Sequence, residues 1–161
     1  MNSESIVGDV VMNRARLKDK VWCQVAKVIS LLGTCQRRQT GAVFLDKLGR
    51  VLATGYNGTP AGMSHCIDRA CMGAGAESGT KLEECQAIHA EQNALIQCKF
   101  PDSIHTVYCT TSPCMHCVKM LGATSAIRIV FVDEYTHSNA KQYWEGLGRQ
   151  WEQLAAVSFE V

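Results

Sequence analysis

His89-Ala90-Glu91 and, downstream, Pro113-Cys114-Met115-His116-Cys117 are the residues whose types and spacing could do chemistry. A Cys-x-x-Cys pair at a helix start sets two thiolates one turn apart on the same side. A helix dipole and a metal both favour their ionised form there. His89, from the preceding helix, is the third ligand. Three protein ligands leave the fourth tetrahedral position to water, the arrangement of a catalytic zinc rather than a closed structural one. Zinc lowers the pKa of that water toward neutrality. Glu91, two residues after His89, points away from direct coordination. It is placed to take a proton from the water and deliver it to a ring nitrogen and then to a leaving amine. Pro113 stiffens the entry to the cysteine helix where no donor N–H is needed.

Each piece alone is ambiguous. A lone Cys-x-x-Cys also suits a redox pair or half of a structural zinc site, and His-x-Glu by itself is weak. His116 sits between the cysteines, but a central residue of this motif on a helix faces away from its neighbours, which predicts exposure. Together, His-x-Glu followed by Pro-Cys-x-x-Cys is the signature of zinc-dependent nucleobase deaminases, which hydrolyse an amino group off an sp² carbon.

The elements that must position these groups can be read along the chain. Val21, Trp22, Val25, Val28, Ile29 and Leu32 recur at helical spacing before Gly33. Ala42–Leu45, the turn residues 46–50 and Val51–Tyr56 predict a β-hairpin. Residues 57–62 are a dense loop signal. From residue 63 to about 86 no periodicity exists, and so long an excursion implies function or a staple other than a core. Further predicted elements are a helix over 87–98, a strand over 106–111, a helix over 114–121, a strand over 127–132, a helix over 139–147 and a last strand over 154–161. The order implies an α/β fold, a sheet covered by helices on both faces. No linker, repeat or low-complexity tract divides residues 1–161, so one domain is expected.

Composition narrows the partners. A formal net charge of +1 and 7% aromatic residues argue against a nucleic-acid groove, which needs a basic surplus and stacking platforms. A small anionic ligand is easier to reconcile with them. No apolar run approaches the roughly 18–20 residues of a membrane span. No signal sequence opens the chain, so a cytoplasmic location is expected. Nine cysteines in a reducing compartment point to metal binding before disulfides.

The chain resembles the deoxycytidylate (dCMP) deaminases of bacterial and bacteriophage type. The resemblance rests on Thr40-Gly41-Ala42-Val43, on residues 54–62 (Thr-Gly-Tyr-Asn-Gly-Thr-Pro-Ala-Gly), on residues 89–95 and on residues 110–117. It implies a three-layer α/β/α cytidine deaminase-like fold with a mixed five-stranded sheet, and conversion of dCMP to dUMP in the cytoplasm (the host's, for a phage protein). It also implies that Asn57 approaches the sugar or base, that the Ala90 N–H meets the pyrimidine carbonyl, and that Thr110 and Ser112 line the base pocket. Arg37, Arg38 and Tyr135 are the candidates for the 5′-phosphate, although exposed arginines are also common as solvated turns. Activation by dCTP and inhibition by dTTP are implied, with Mg²⁺ accompanying the nucleotide, at a site between subunits of a homo-oligomer, a hexamer by resemblance. Gly55, Tyr56, Asn57, Gly58, Pro60, Gly62 and Asn93 would contribute, glycines being able to approach a phosphate closely; a tight loop after a strand explains them as well.

Cys35, Cys66, Cys71 and Cys85 lie near the irregular excursion, and similar deaminases often carry a second, structural zinc there. A closed four-cysteine site would order a segment without a core. His65 is the alternative ligand, and buried free thiols are the alternative account. Cys23, Cys98 and Cys109 are expected in the core. The other functions open to such a chain are deamination of tRNA or single-stranded DNA, and a non-catalytic zinc-stabilised interaction module.

Overall fold

A computed structural model of the chain describes residues 3–77, 80–135 and 139–155, with side chains from residue 14 onward except at Leu82. The α-helices are α1 (Ser3–Ser30), α2 (Ala90–Gln97), α3 (Met115–Gly122) and α4 (Ala140–Gly146), and the strands are β1 (Gly41–Leu45), β2 (Val51–Tyr56), β3 (Thr106–Thr111), β4 (Arg128–Asp133) and β5 (Gln150–Gln153). The hairpin β1–β2 closes on Asp46, whose Oδ1 accepts the Leu48 and Arg50 N–H groups at 2.8 Å each. Gly49 supplies the positive φ (+80°) that this turn requires.

The strands form one sheet in the order β2-β1-β3-β4-β5. β1 is antiparallel to β2 and β3, whereas β3, β4 and β5 run parallel, each parallel step being bridged by a helix, α3 and then α4. Alternation divides the strands between two cores. Val43, Leu45, Tyr108 and Val130 face α1, meeting Cys23 and Ala26. Ala42, Phe44, Ala53, Val107, Cys109, Ile129 and Phe131 face the other way, with Ala90, Ala94, Val118, Leu121 and Trp144 of the remaining helices. The expected α/β/α layering and mixed five-stranded sheet are therefore present.

Two glycines bring helices onto the hairpin at backbone distance. A Cβ on Gly41 would collide with the Ala26 carbonyl and lie 2.8 Å from the Ser30 N, both in α1. A Cβ on Gly55 would collide with the Ala90 carbonyl and lie 2.5 Å from the Ala94 N of α2. A polar network fixes α1 to the sheet as well. Arg128 donates to both Asp19 oxygens at 2.7 and 2.8 Å and to both Glu152 oxygens at 2.8 and 2.6 Å, and the Tyr108 hydroxyl donates to Asp19 Oδ1 at 2.7 Å.

The structure departs from the expected elements in four places. α1 starts far earlier than residue 21, and its buried face carries Asp19, Cys23, Ala26 and Ser30, while Val21, Val28 and Leu32 are exposed. α2 starts at Ala90, not at residue 87, because Ile88 pairs its N–H and carbonyl with those of Gly58. α3 starts at Met115, leaving Cys114 outside its first turn. The last strand is Gln150–Gln153 instead of 154–161; the Leu154 N–H donates to the Phe131 carbonyl just beyond it, and residues 156–161 lie outside the described residues.

Candidate active site

Both halves of the motif end up at helix N-termini. His89 is the N-cap of α2 (φ −69°, ψ 156°) and Cys114 the N-cap of α3 (φ −75°, ψ 172°). Extended backbone at an N-cap turns the side chain out of the helix it precedes. The Gln92 side chain fixes the first by accepting the His89 N–H at 2.9 Å. β3 carries the chain to Cys114, and one turn into α3 Cys117 returns to the same side.

The three ligand atoms converge. His89 Nδ1 lies 3.4 Å from Cys114 Sγ and 3.5 Å from Cys117 Sγ, and the sulfurs are 3.7 Å apart. A tetrahedral zinc with ordinary bond lengths separates two thiolates by about 3.8 Å and a thiolate from an imidazole nitrogen by about 3.6 Å. Donor set and spacing therefore fit zinc, with Nδ1 as the imidazole ligand. Among the described residues this is the one group of three His, Cys, Asp or Glu side chains whose ligand atoms all lie within 4.8 Å of one another.

The electrostatics agree. Contact with the Cys117 thiol holds the Cys114 pKa down at about 3, while contact with Cys114, followed by burial, pushes Cys117 up. Ionisation of one thiol thus opposes ionisation of the other, and a divalent cation would take both as thiolates. The hydrogen bond with Cys114 raises His89. Glu91 sits on the first turn of α2, is 8% exposed, and burial raises its carboxyl above the ordinary range. His116 is exposed, as its place between the cysteines predicts.

A cavity of about 350 Å³ opens over this group. Of the residues singled out in the sequence, it is lined by His89, Ala90, Glu91, Cys114, Asn57, Ser112, Arg37, Arg38 and Tyr135, and also by Cys35 and Cys85. Ala90 is the first residue of α2, where N–H groups have no intrahelical acceptor. Asn57 is buried, and its amide braces the neighbouring strip: Oδ1 accepts the Thr40 N–H at 2.8 Å and Nδ2 donates to the Arg38 carbonyl at 2.7 Å. Ser112 Oγ accepts the Tyr135 N–H at 2.7 Å. The Arg37 guanidinium donates to the Glu77 and Thr80 carbonyls at 2.5 and 3.3 Å.

Thr110 is not brought to this cavity. Strand alternation sets it on the α1 side of β3, where its Oγ1 accepts the Gly41 N–H at 3.1 Å, and Thr111 lines the cavity in its place. The alternation through Val107 and Cys109 was the sequence signal for Thr111. Ala74 and Ala76, also in the lining, carried no such signal.

The residues expected at a regulatory site divide into two groups. Gly55 is buried under α2, and the Gly58 backbone pairs with Ile88, so neither offers a free main chain to a phosphate. Tyr56, Pro60 and Gly62 are exposed, Gly62 with a φ of +89°, and Asn93 Nδ2 donates to the Tyr56 carbonyl at 2.7 Å.

Of the second cysteine group, Cys66 and Cys71 have sulfurs 3.6 Å apart. Cys71 accepts the Gln86 and Gly73 N–H groups and also contacts Cys85, and Cys85 accepts the Ala87 N–H. His65 is exposed and its Nδ1 is 3.5 Å from the Thr59 hydroxyl. Cys23 and Cys109 are buried and Cys98 is half-buried.

A triad of candidate metal ligands at two helix N-termini has a buried carboxylate beside it and a cavity of nucleotide size above it. The pattern of the family described as "Cytidine and deoxycytidylate deaminase zinc-binding region" matches residues 17–133, and this chain belongs to that family. It is 35% identical over 122 residues to a deoxycytidylate deaminase of Mycobacterium phage D29, covering 72% of this chain and 94% of the phage protein. It is 31% identical over 120 residues to the deoxycytidylate deaminase of Saccharomyces cerevisiae, covering 73% of this chain but only 38% of the yeast protein. The crystal structure of dCMP deaminase from the cyanophage S-TIM5, in complex with dCMP and dUMP, superposes with a TM-score of 0.65 at 26% identity, covering 83% of this chain and 94% of that one. No helix among the described residues is long and apolar enough to cross a membrane.

Proposed function

We propose that the chain hydrolyses dCMP to dUMP and ammonia. The observation that carries this reading is the union, in one cavity, of the His89–Cys114–Cys117 triad and Glu91 with the cationic and phenolic groups of Arg38 and Tyr135. Relatives named for the same reaction, and a similar fold that holds dCMP and dUMP, support it. His89, Cys114 and Cys117 would hold a zinc ion, which would supply Lewis acidity toward a water. Glu91 accepts the proton of the attacking water as the C4–O bond forms. It passes that proton to the ring N3, then carries the proton of the new C4 hydroxyl to the amine, so that C4=O forms as the C4–N bond breaks and ammonia leaves. Burial suits Glu91 to this work, because a raised carboxyl pKa lets it hold a proton between transfers. In this reading the Ala90 N–H would meet the pyrimidine carbonyl, Thr111 and Ser112 would line the base, and Arg38 and Tyr135 would take the 5′-phosphate, all of them residues of the same cavity.

Glu91→Gln is expected to keep its metal and lose activity by a factor of at least about 10². Wild-type turnover in that variant refutes the mechanism. An assay offering dCMP, deoxycytidine and a cytosine-bearing oligonucleotide tests the substrate, and turnover of the oligonucleotide alone overturns it.

We propose further a second, structural zinc on Cys35, Cys66, Cys71 and Cys85; among the described residues their sulfurs do not converge as the His89 triad does, and the contact that favours the site is that of Cys66 with Cys71. The Cys66–Cys71 spacing matches two thiolates on one ion. The N–H groups on Cys71 and Cys85 are the kind of outer contacts that orient metal thiolates. Metal analysis is expected to give about two zinc per chain, and about one in Cys71→Ser; two in that variant exclude the site. Regulation by dCTP and dTTP, with Mg²⁺, is assigned to the exposed surface of Tyr56, Pro60, Gly62 and Asn93 in a homo-oligomer. Rate against dCMP concentration, with each nucleotide added, tests it, and superimposable curves exclude it.

A further inference from the structure

Among the described residues between Tyr56 and Ala90 there is no strand or α-helix, only turns and the short 3-10 helix Leu82–Glu84, yet Ala74 and Ala76 of this stretch form part of the wall of the candidate catalytic cavity. Apolar packing does not fix that wall. From residue 60 to residue 77 the described side chains are mostly exposed, with Cys66, Cys71 and Gly73 the buried positions. Such a segment opens at low cost unless something ties it down.

The ties lead to one strip of the fold. The Ile67 N–H donates to the Thr34 carbonyl at 3.1 Å. Three residues along, the Arg37 guanidinium donates from Nη2 to the Glu77 carbonyl at 2.5 Å and from Nη1 to the Thr80 carbonyl at 3.3 Å. Glu77 directly follows Ala76. The strip is itself rigid, because the buried Asn57 amide holds the Arg38 carbonyl and the Thr40 N–H. A continuous path of polar contacts therefore runs from the end of β2, through Asn57 and the strip, to Arg37 and the cavity wall. A planar guanidinium spans two carbonyl oxygens at once, which a single ammonium does poorly.

We propose that Arg37 is a positioning residue that holds the Ala74–Ala76 wall against the catalytic cavity, and is not a ligand of the substrate's phosphate. A phosphate ligand has nothing to do until substrate arrives, whereas these two bonds are made without it.

Hydrogen–deuterium exchange on the full, zinc-loaded chain without nucleotide separates the roles. The reporters are the Ala74 and Ala76 N–H groups, bonded to the Cys71 and Gly73 carbonyls at 2.9 and 3.2 Å. Arg37→Ala is expected to speed exchange over residues 72–77 roughly tenfold, as loss of two charge-assisted but partly solvated bonds implies, and to leave β3 and β4 unchanged. Arg37→Lys should fall between the two. In a second arm, which rests on the proposed dCMP reaction, Arg37→Ala should raise KM for dCMP roughly fivefold with the effect falling on KM rather than kcat. Exchange over 72–77 equal to wild type overturns the proposal: with a raised KM Arg37 is a phosphate ligand, and with an unchanged KM it is an exposed arginine without a role. If Arg37→Ala does not fold, Arg37→Lys decides, wild-type exchange in it being the refuting result. Failure of wild-type protein to turn over dCMP would remove the proposed substrate and leave the exchange result standing.

Discussion

Gly55→Ala is the substitution that reaches the metal site without touching a ligand. Gly55 has no positive φ, so alanine costs nothing in backbone conformation, and the effect is purely steric. The added methyl would collide with the Ala90 carbonyl and lie 2.5 Å from the Ala94 N and 3.0 Å from the Ala94 Cα, all main-chain atoms of α2. No side-chain rotation relieves such contacts. Restoring the Ala94 N contact to an ordinary 3.4 Å moves the helix by about 0.9 Å. Overpacking of this kind costs roughly 1–3 kcal/mol, which lowers Tm by about 3–10 °C in a chain of this size. The displaced helix carries His89, Ala90 and Glu91, and a misplacement of about 1 Å in a catalytic array costs roughly 100-fold in rate. Thermal unfolding, zinc content and kcat on dCMP are the assays. A Gly55→Ala protein with wild-type Tm and kcat would falsify the view that α2 rests on bare backbone.

Asp19→Asn should destabilise by about 3 kcal/mol in urea unfolding, because it leaves Arg128 half-paired in a mostly buried site. Burial raises the Asp19 carboxyl, but hydrogen bonds from Arg128 and Tyr108 outweigh it, so its pKa lies below the ordinary 3.8. Its stabilisation is full above that value and is lost as pH falls through the lower folded pKa; a wild-type advantage vanishing already at pH 6 contradicts the assignment. Trp151→Phe should leave stability unchanged or raise it by up to about 1 kcal/mol. The indole Nε1 is buried with no hydrogen-bond partner among the described residues, and the ring contact with Phe131, at 5.2 Å between centroids, can survive. Chelation should abolish activity and lower Tm, since a ligand present at 100 times its Kd stabilises by about 2.7 kcal/mol; a Tm indifferent to chelator argues against metal in the folded state.

The chemistry was legible because it is written in local spacing. His89, Glu91, Cys114 and Cys117 need only two helices and a strand between them, and the sequence pattern located all three elements, with the starts of α2 and α3 three residues and one residue later than expected. The hairpin was equally clear from Ala42–Leu45 and Val51–Tyr56, where apolar runs flank an Asp-Gly turn. Thr110 marks where resemblance misleads: a one-residue difference on a strand exchanges the faces of the sheet, and the alternation through Val107 and Cys109 sets Thr111, not Thr110, on the side of the site. In α1 Val21 and Val28 point to solvent, while small and polar residues, Ala26, Ser30 and Asp19, are buried, Ala26 and Ser30 where Gly41 draws the helix to backbone distance. β5, with the sequence Gln-Trp-Glu-Gln, carries little apolar pattern because it is an edge strand, partnered by β4 alone. The wall at Ala74 and Ala76 was invisible for another reason: turn hydrogen bonds, thiol contacts and the Arg37 bonds to the Glu77 and Thr80 carbonyls hold it, and these have no period.

The two hairpin glycines have a consequence for how such a protein could be redesigned. Gly41 and Gly55 sit on neighbouring strands, one open to each face, and main chain meets main chain on both sides. The sandwich is thinnest here, and it has no compliant layer of side chains to absorb an error. The height of Glu91 above the sheet is accordingly a dimension machined into the backbone. Attempts to retune the site belong in the side chains of Arg38 and Tyr135 and in the Ala74–Ala76 wall, which line the cavity without meeting main chain on both sides, while the hairpin works as a fixed datum from which the candidate metal centre is measured.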